Sequence, residues 1–144
     1  MNMSEAELQM AVADYLRMRY PDVIFRSDYG SGLKLTMGQA VRQKRMNGGQ
    51  RAFPDMAIFE PVPRCVDGDQ DHEWHGLLIE LKKEGTRLKK KNGEWASQHI
   101  AEQAEVLEML RFRGYRAEFA VGFDQAKELI DDYMKFKEVD NVYF

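Results

Sequence analysis

The sequence predicts an α/β domain, a mixed central sheet flanked by helices in the order α-β-β-β-α-β-α. Three stretches predict it. The N-terminal segment repeats its apolar residues at helical spacing behind a capping signal. The run Gly76-Leu77-Leu78-Ile79-Glu80-Leu81-Lys82-Lys83 has the length and apolar content of a core strand. Near the C-terminus a glycine-ended helix hands over to an alternating strand and a last helix. With 144 residues the chain is expected to form one domain, residues 1–144, around a single core.

The first helix opens at Ser4, where Ser4-Glu5-Ala6-Glu7 spells a capping box with Glu7 reaching back to the cap. Its apolar stripe runs through Leu8, Val12, Tyr15, Leu16 and the stem of Arg19. Glu5 lies three residues before Leu8 and continues that stripe toward the interior, whereas Glu7 does not; a solvated first-turn acid is the alternative for Glu5. Pro21 ends the helix. Val23 to Arg26 reads as a first strand, and Tyr29-Gly30-Ser31-Gly32 as a turn.

Leu33 to Arg51 is basic and glycine-punctuated, with a short helix over Gln39 to Met46 and nothing that demands a core position. Phe53 to Phe59 is the second strand, with Pro54 at its start and Asp55 at its entrance on the face of Ala57 and Phe59. Pro61 and Pro63 close it. Asp67 to Glu73 is a polar hairpin tip leading back into the Trp74 to Lys83 strand. Gly85 to Gly93 is a basic loop. The next helix starts near Ser97 and buries Ile100, Ala104, Leu107 and Leu110, with Gln103 in the same stripe. Gly114 caps its end, Tyr115 to Val121 forms the last strand, and the final helix buries Ala126, Ile130, Tyr133 and Met134.

Composition bounds the function. An apolar fraction of 44% and a charged fraction of 31% describe a water-soluble globular chain. No stretch approaches a membrane span, and Met1 to Glu7 has no signal-peptide character, so no membrane partner is expected. The one cysteine, Cys65, excludes an internal disulfide and fits a reducing cytoplasm. A net charge of −3 argues against a general nucleic-acid binder, but its distribution does not. Between Asp28 and Asp55 there is no acid, while Lys34, Arg42, Lys44, Arg45 and Arg51 are basic. Lys82, Lys83, Arg87, Lys89, Lys90 and Lys91 form a second basic cluster broken only by Glu84. Segregation of this kind suggests one face for a polyanion and another for solvent.

The chemistry centres on the Gly76–Lys83 strand. Side chains alternate between the faces of a strand, so Leu77, Ile79 and Leu81 point one way and Leu78, Glu80 and Lys82 the other. An acid and a base two residues apart then share one face. If that face is wet, they form a surface ion pair. If it is buried, each ion costs several kcal/mol, of order ~3 or more, unless something compensates. The other polar residues expected to face inward are Glu5, Asp55 and Gln103. Asp55 and Glu80 can be brought together by a hairpin, and hard oxygen ligands without His or Cys suit Mg²⁺ or Mn²⁺. A zinc site from Cys65, His72 and His75 lacks a fourth ligand. A calcium loop from Asp67, Asp69 and Asp71 fails, because His72 stands where Gly is required and Leu78 where the closing Glu should be. Trp74 and Trp95 are read as packing residues.

Pro54-Asp55 followed by Glu80-Leu81-Lys82 resembles the PD-(D/E)xK nuclease superfamily. More narrowly, the chain is similar to the virus-type replication-repair nuclease (VRR-NUC) family. The likeness lies in the early Glu5, the glycines and Pro54-Asp55 approach, Gly76 before the strand, Gln103 on the next helix, and Gly114-Tyr115-Arg116-Ala117 leading to the last helix. It covers nearly the whole chain and implies a restriction-endonuclease-like fold and metal-dependent cleavage of DNA. Under it, Asp55 and Glu80, with the Leu81 carbonyl and Glu5, are the metal ligands. Lys82 orients the attacking water or steadies charge on phosphorus, and Gln103 holds the water or Lys82. Lys34, Arg42, Lys44, Arg45, Arg51, Lys83, Arg87, Lys89 and Lys90 are the expected DNA contacts. Stand-alone viral and bacterial members imply branched DNA such as Holliday junctions as substrate, and a homodimer. The alternative is a non-catalytic DNA-binding or recombination-accessory module on the same fold. Gly48-Gly49, well upstream of Asp55, and the acidic insert from Cys65 to Glu73 depart from the family pattern.

Overall fold

The computed structural model describes residues 2–28, 34–64 and 72–142. Helix α1 (Glu5–Arg19) starts at the expected capping box, with Ser4 and Glu7 each accepting from the other's backbone N–H. Strand β1 (Phe25–Ser27) begins two residues later than the Val23 start predicted. Helix α2 (Met37–Met46) begins two residues before the expected Gln39, ends at the expected Met46 and carries its own capping box, Thr36 with Gln39; none of its residues is buried. Strand β2 (Met56–Ile58) is a short core segment of the Phe53–Phe59 stretch.

The predicted third strand is divided. Val62–Pro63 (β3) and Glu73–Trp74 (β4) pair as a small separate sheet, and Leu77–Lys82 (β5) is buried along its whole length in the main sheet. Gly76 lies in the gap between β4 and β5, and only glycine fits there, because a Cβ would lie 2.7 Å from the Ile58 carbonyl oxygen. The turn over 29–32 and the tip at 67–71, with Cys65, lie outside the described residues. Helix α3 (Gln98–Phe112) is capped by the Ser97 hydroxyl. It ends at Gly114, whose φ of 95° is costly for any residue with a Cβ. Strand β6 (Arg116–Val121) and helix α4 (Gly122–Val142) complete the described chain.

The main sheet has the order β1-β2-β5-β6. The first two pairings are antiparallel and the β5–β6 pairing is parallel, so the sheet is mixed, as expected. A parallel pair needs a crossover, and α3 supplies it. On one face, α1 (Leu8, Val12, Leu16) and α4 (Ala126, Ile130, Tyr133, Met134) bury Met56, Ile58, Leu77, Ile79 and Leu81. On the other, α3 lays Leu107 against Leu78, Ala57 and Ala117. In α3, Ile100, Gln103, Val106 and Leu107 are the buried residues, while Ala104 and Leu110 are only half-buried. The buried Tyr133 hydroxyl donates to the Glu60 carbonyl at 2.6 Å, tying α4 to the strand connection after β2.

Candidate active site

The β2–β5 register brings the two carboxylates together. Ile58, Ala57 and Met56 stand opposite Leu77, Leu78 and Ile79, so Asp55 falls opposite Glu80. Both lie on the face shared by Ala57 and Leu78. The backbone ladder stops at Met56, and the Asp55 carboxylate takes its place: the Leu81 N–H donates to Asp55 Oδ2 at 2.9 Å. The Asp55 carbonyl is also held, by the Asp28 N–H at 2.7 Å and by Gln9 Nε2 at 3.4 Å.

Burial decides between the two readings of the Glu80-Lys82 pair. Glu80 is 4% exposed and Lys82 8%, so this is no wet strand face. Lys82 Nζ stands 3.9 Å from Glu80 Oε1, too far for a tight hydrogen-bonded pair. Gln103, buried on α3, donates from Nε2 to the same oxygen at 2.7 Å. Glu80 Oε2 and Gln103 Oε1 are buried acceptors with no hydrogen-bond partner. Burial, then the neighbouring Asp55 charge, pushes the Glu80 carboxyl up to about 9; Lys82 opposes the rise and Glu5 adds to it.

Two facing acids, one of them with a buried oxygen that no donor reaches, make a site short of positive charge. A divalent cation fits this donor set of hard carboxylate oxygens from Asp55 and Glu80. Glu5 does not complete it as predicted. Its side chain is exposed rather than aimed inward, although its charge reaches Glu80. Among the described residues no group of three or more Asp, Glu, His or Cys is close enough to hold a metal. Helical geometry explains the difference. Glu5 shares its row with Gln9, one turn on, at the margin of the buried stripe.

Gln9 itself was missed by the sequence reading. It stands four residues after Glu5 and donates to the Asp28 and Asp55 carbonyls, and that i, i+4 spacing was the available signal. The capping box Thr36-x-x-Gln39 likewise marks the true start of α2.

All nine expected DNA-contact side chains, from Lys34 to Lys90, are exposed. The second basic cluster is not a plain loop. Lys89 and Trp95 form a β-bridge, Lys90 N–H bonds the Glu94 carbonyl at 2.8 Å, and the Trp95 ring rests 5.7 Å from Phe119. The result is a small basic hairpin standing directly after Lys82. Trp74 packs against the main core with Arg64 over its ring.

A cleft of about 630 Å³ opens beside Asp55, lined by Leu110 of α3 and by Arg26 and Ser27 of β1. Asp55, Ala57, Phe59 and Leu78 line its floor and wall.

No family model matches the sequence, and no curated protein matches it. Among solved structures, one described as a "VRR_NUC domain protein" is similar to 94% of this chain and 92% of its own, at 25% sequence identity and a TM-score of 0.61. The fold is thus that of a VRR-NUC domain, a restriction-endonuclease-like mixed sheet between helices, in agreement with the resemblance read from the motifs.

Proposed function

We propose that this VRR-NUC-type chain is a divalent-metal-dependent nuclease that hydrolyses DNA phosphodiesters at the Asp55–Glu80–Lys82 site. The observation that carries the reading is the buried, unpartnered Glu80 oxygen opposite Asp55, with Lys82 and Gln103 gathered on the same carboxylate. Burying an acid and a base beside the half-buried Asp55 without compensation is costly, and a fold bears such a cost where a cation and a phosphate supply the missing charges.

Asp55 and Glu80 would hold Mg²⁺ or Mn²⁺, with the Leu81 carbonyl available as a further oxygen. A bound divalent ion polarises a phosphodiester oxygen and lowers the pKa of a water. The chain's own contribution is positional. The Leu81 N–H fixes Asp55 Oδ2, Gln9 fixes the Asp55 backbone, and Gln103 fixes Glu80 Oε1. Lys82 presents an ammonium on the same face, placed to steady the charge that builds on phosphorus or to orient a water. Glu5, at the rim, contributes field rather than a close ligand.

DNA is the substrate this reading takes, with branched DNA as the preferred form and a two-fold dimer as the working assembly; both finer points rest on the family resemblance. Two related copies of the site would face symmetric strands of a junction. The test is incubation of purified protein with Mn²⁺ and labelled junction, flap and linear DNA, alongside light scattering for mass. Metal-dependent cleavage of branched DNA that disappears in Glu80→Ala supports the reading. DNA binding without cleavage under Mg²⁺ and Mn²⁺ would leave a binding module instead.

A further inference from the structure

We infer that the cleft beside Asp55 receives an unpaired nucleobase next to the phosphate that is cut. The inference deepens the nuclease reading above and rests on it.

Position comes first. Helix α3 packs on the site face against Leu78, Ala57 and Ala117, and the cleft of about 630 Å³ lies beside it, reaching Arg26 and Ser27 of β1. Asp55 is in its wall and Leu78 in its floor, with Glu80 two residues beyond Leu78 on the same face. Asp55 thus belongs both to the acid site and to the cleft wall, and one nucleotide can bridge the two.

The lining then selects a base over a phosphate. Among the described residues Arg26 is the only cation in the cleft wall, set with Asp28 and Asp55. With one cation against two acids, such a wall is unfavourable to a phosphate except where a metal ion stands at Asp55. Asn47 and Gln50, from the segment after α2, add amide groups that both donate and accept.

The apolar part of the cleft is aromatic. Phe53 is 48% exposed and Phe59 53%, and Tyr115 stands in the same wall. Exposed rings in a cleft wall are stacking platforms, and every base has a face that such a ring accepts. Half-exposed Phe53 stands between Ala52, whose φ of 60° is uncommon for any residue but glycine, and the fully buried Pro54. The phosphates have their own contacts at the rim, since basic Arg51 follows Gln50 and basic Lys83 follows Lys82.

This arrangement has a consequence for substrate choice. In a continuous duplex every base is stacked and paired, so filling the cleft requires extrusion. At a branch, gap or flap an unpaired base is already present and enters without that cost.

The experiment measures binding without divalent metal. Forked DNA carrying either a base or an abasic site at the first unpaired position is titrated with the full chain in EDTA, and the two affinities are compared. Wild type should favour the base-bearing fork by about tenfold. Phe59→Ala and Phe53→Ala should each bring that ratio toward one, and Phe59→Trp should restore it. Both phenylalanines are half exposed, so the truncations do not empty the core. Equal affinity for the two forks, with Mn²⁺-dependent cleavage intact, would overturn the cleft assignment and leave the nuclease reading standing. Failure to bind any DNA would remove both. Phe59→Ala that lowers the mass in light scattering while the base preference persists would mark the cleft as a contact between copies, and would also overturn the inference.

Discussion

Glu80 has the most strained electrostatics among the described residues. Its carboxyl is held up to about 9 against an ordinary value of 4.5, first by burial and then by Asp55. Between those values the folded protein keeps a proton that the unfolded chain releases. The folded state then binds more protons, so stability is greatest below the lower value and falls as pH rises toward the upper one. Without divalent ions, the melting temperature should therefore drop by several degrees between about pH 5 and about pH 8. Glu80→Gln should flatten this dependence. Mn²⁺ at the upper pH should raise the melting temperature of wild type and not of the variant, since an ion that binds only the folded site stabilises it. A melting temperature that climbs over the same range would contradict the charge shortage at the site. Gln103→Leu removes the one donor to Glu80 Oε1 while keeping the helix apolar; cleavage should fall roughly 10- to 100-fold, with the fold retained in circular dichroism. At this scale the sequence was informative where the strand period fixed the answer. Period two put Glu80 and Lys82 on one face, and Gln103 lay in the α3 stripe. Glu5 was misplaced because its three-residue offset from Leu8 is compatible with both the core and its margin. Only the partner of its next-turn neighbour Gln9 separates the two.

Elements were predictable where they close on themselves and less so where tertiary contacts set their limits. The capped helices α1 and α3 and the Gly114 stop follow from local hydrogen bonding, and the buried side of α4 was read residue for residue. The break between β4 and β5 was not visible, because Trp74 to Lys83 is one uninterrupted run and the approach of the Ile58 carbonyl to Gly76 is a tertiary contact. That contact makes Gly76→Ala a sharp test. The added methyl meets backbone rather than a movable side chain, and the cost should be about 1–3 kcal/mol, seen as a lower urea midpoint at unchanged slope. Tyr133→Phe probes the opposite face. It leaves the Glu60 carbonyl without its buried donor and should cost about 1–2 kcal/mol, with cleavage per folded molecule unaltered.

Across the whole molecule the sheet separates two kinds of surface. Helices α1 and α4, rich in acids, cover one face, whereas α2 and the hairpin after Lys82 carry exposed cations. Helix α3 carries acids too, at its exposed positions Glu105 and Glu108. A chain of net charge −3 can then hold DNA without attracting polyanions everywhere. If the basic groups contact phosphates, each contact releases counterions, and log affinity should fall with log salt by about 0.9 per contact on duplex. Five such contacts would give a slope of roughly −4 to −5, and Lys44→Ala with Arg45→Ala should make it shallower by nearly 2. The loss should be uniform across sequences, because phosphate contacts position the duplex and carry no base information. It should also be separable from the cleft: phosphate-contact variants alter the salt slope and leave the base-over-abasic ratio in place, while Phe59→Ala does the reverse. The measurement is fluorescence anisotropy of a labelled fork in EDTA at stepped salt. A slope near zero, or one the paired α2 substitutions leave unchanged, would detach the basic segments from DNA and reduce them to solvated charge.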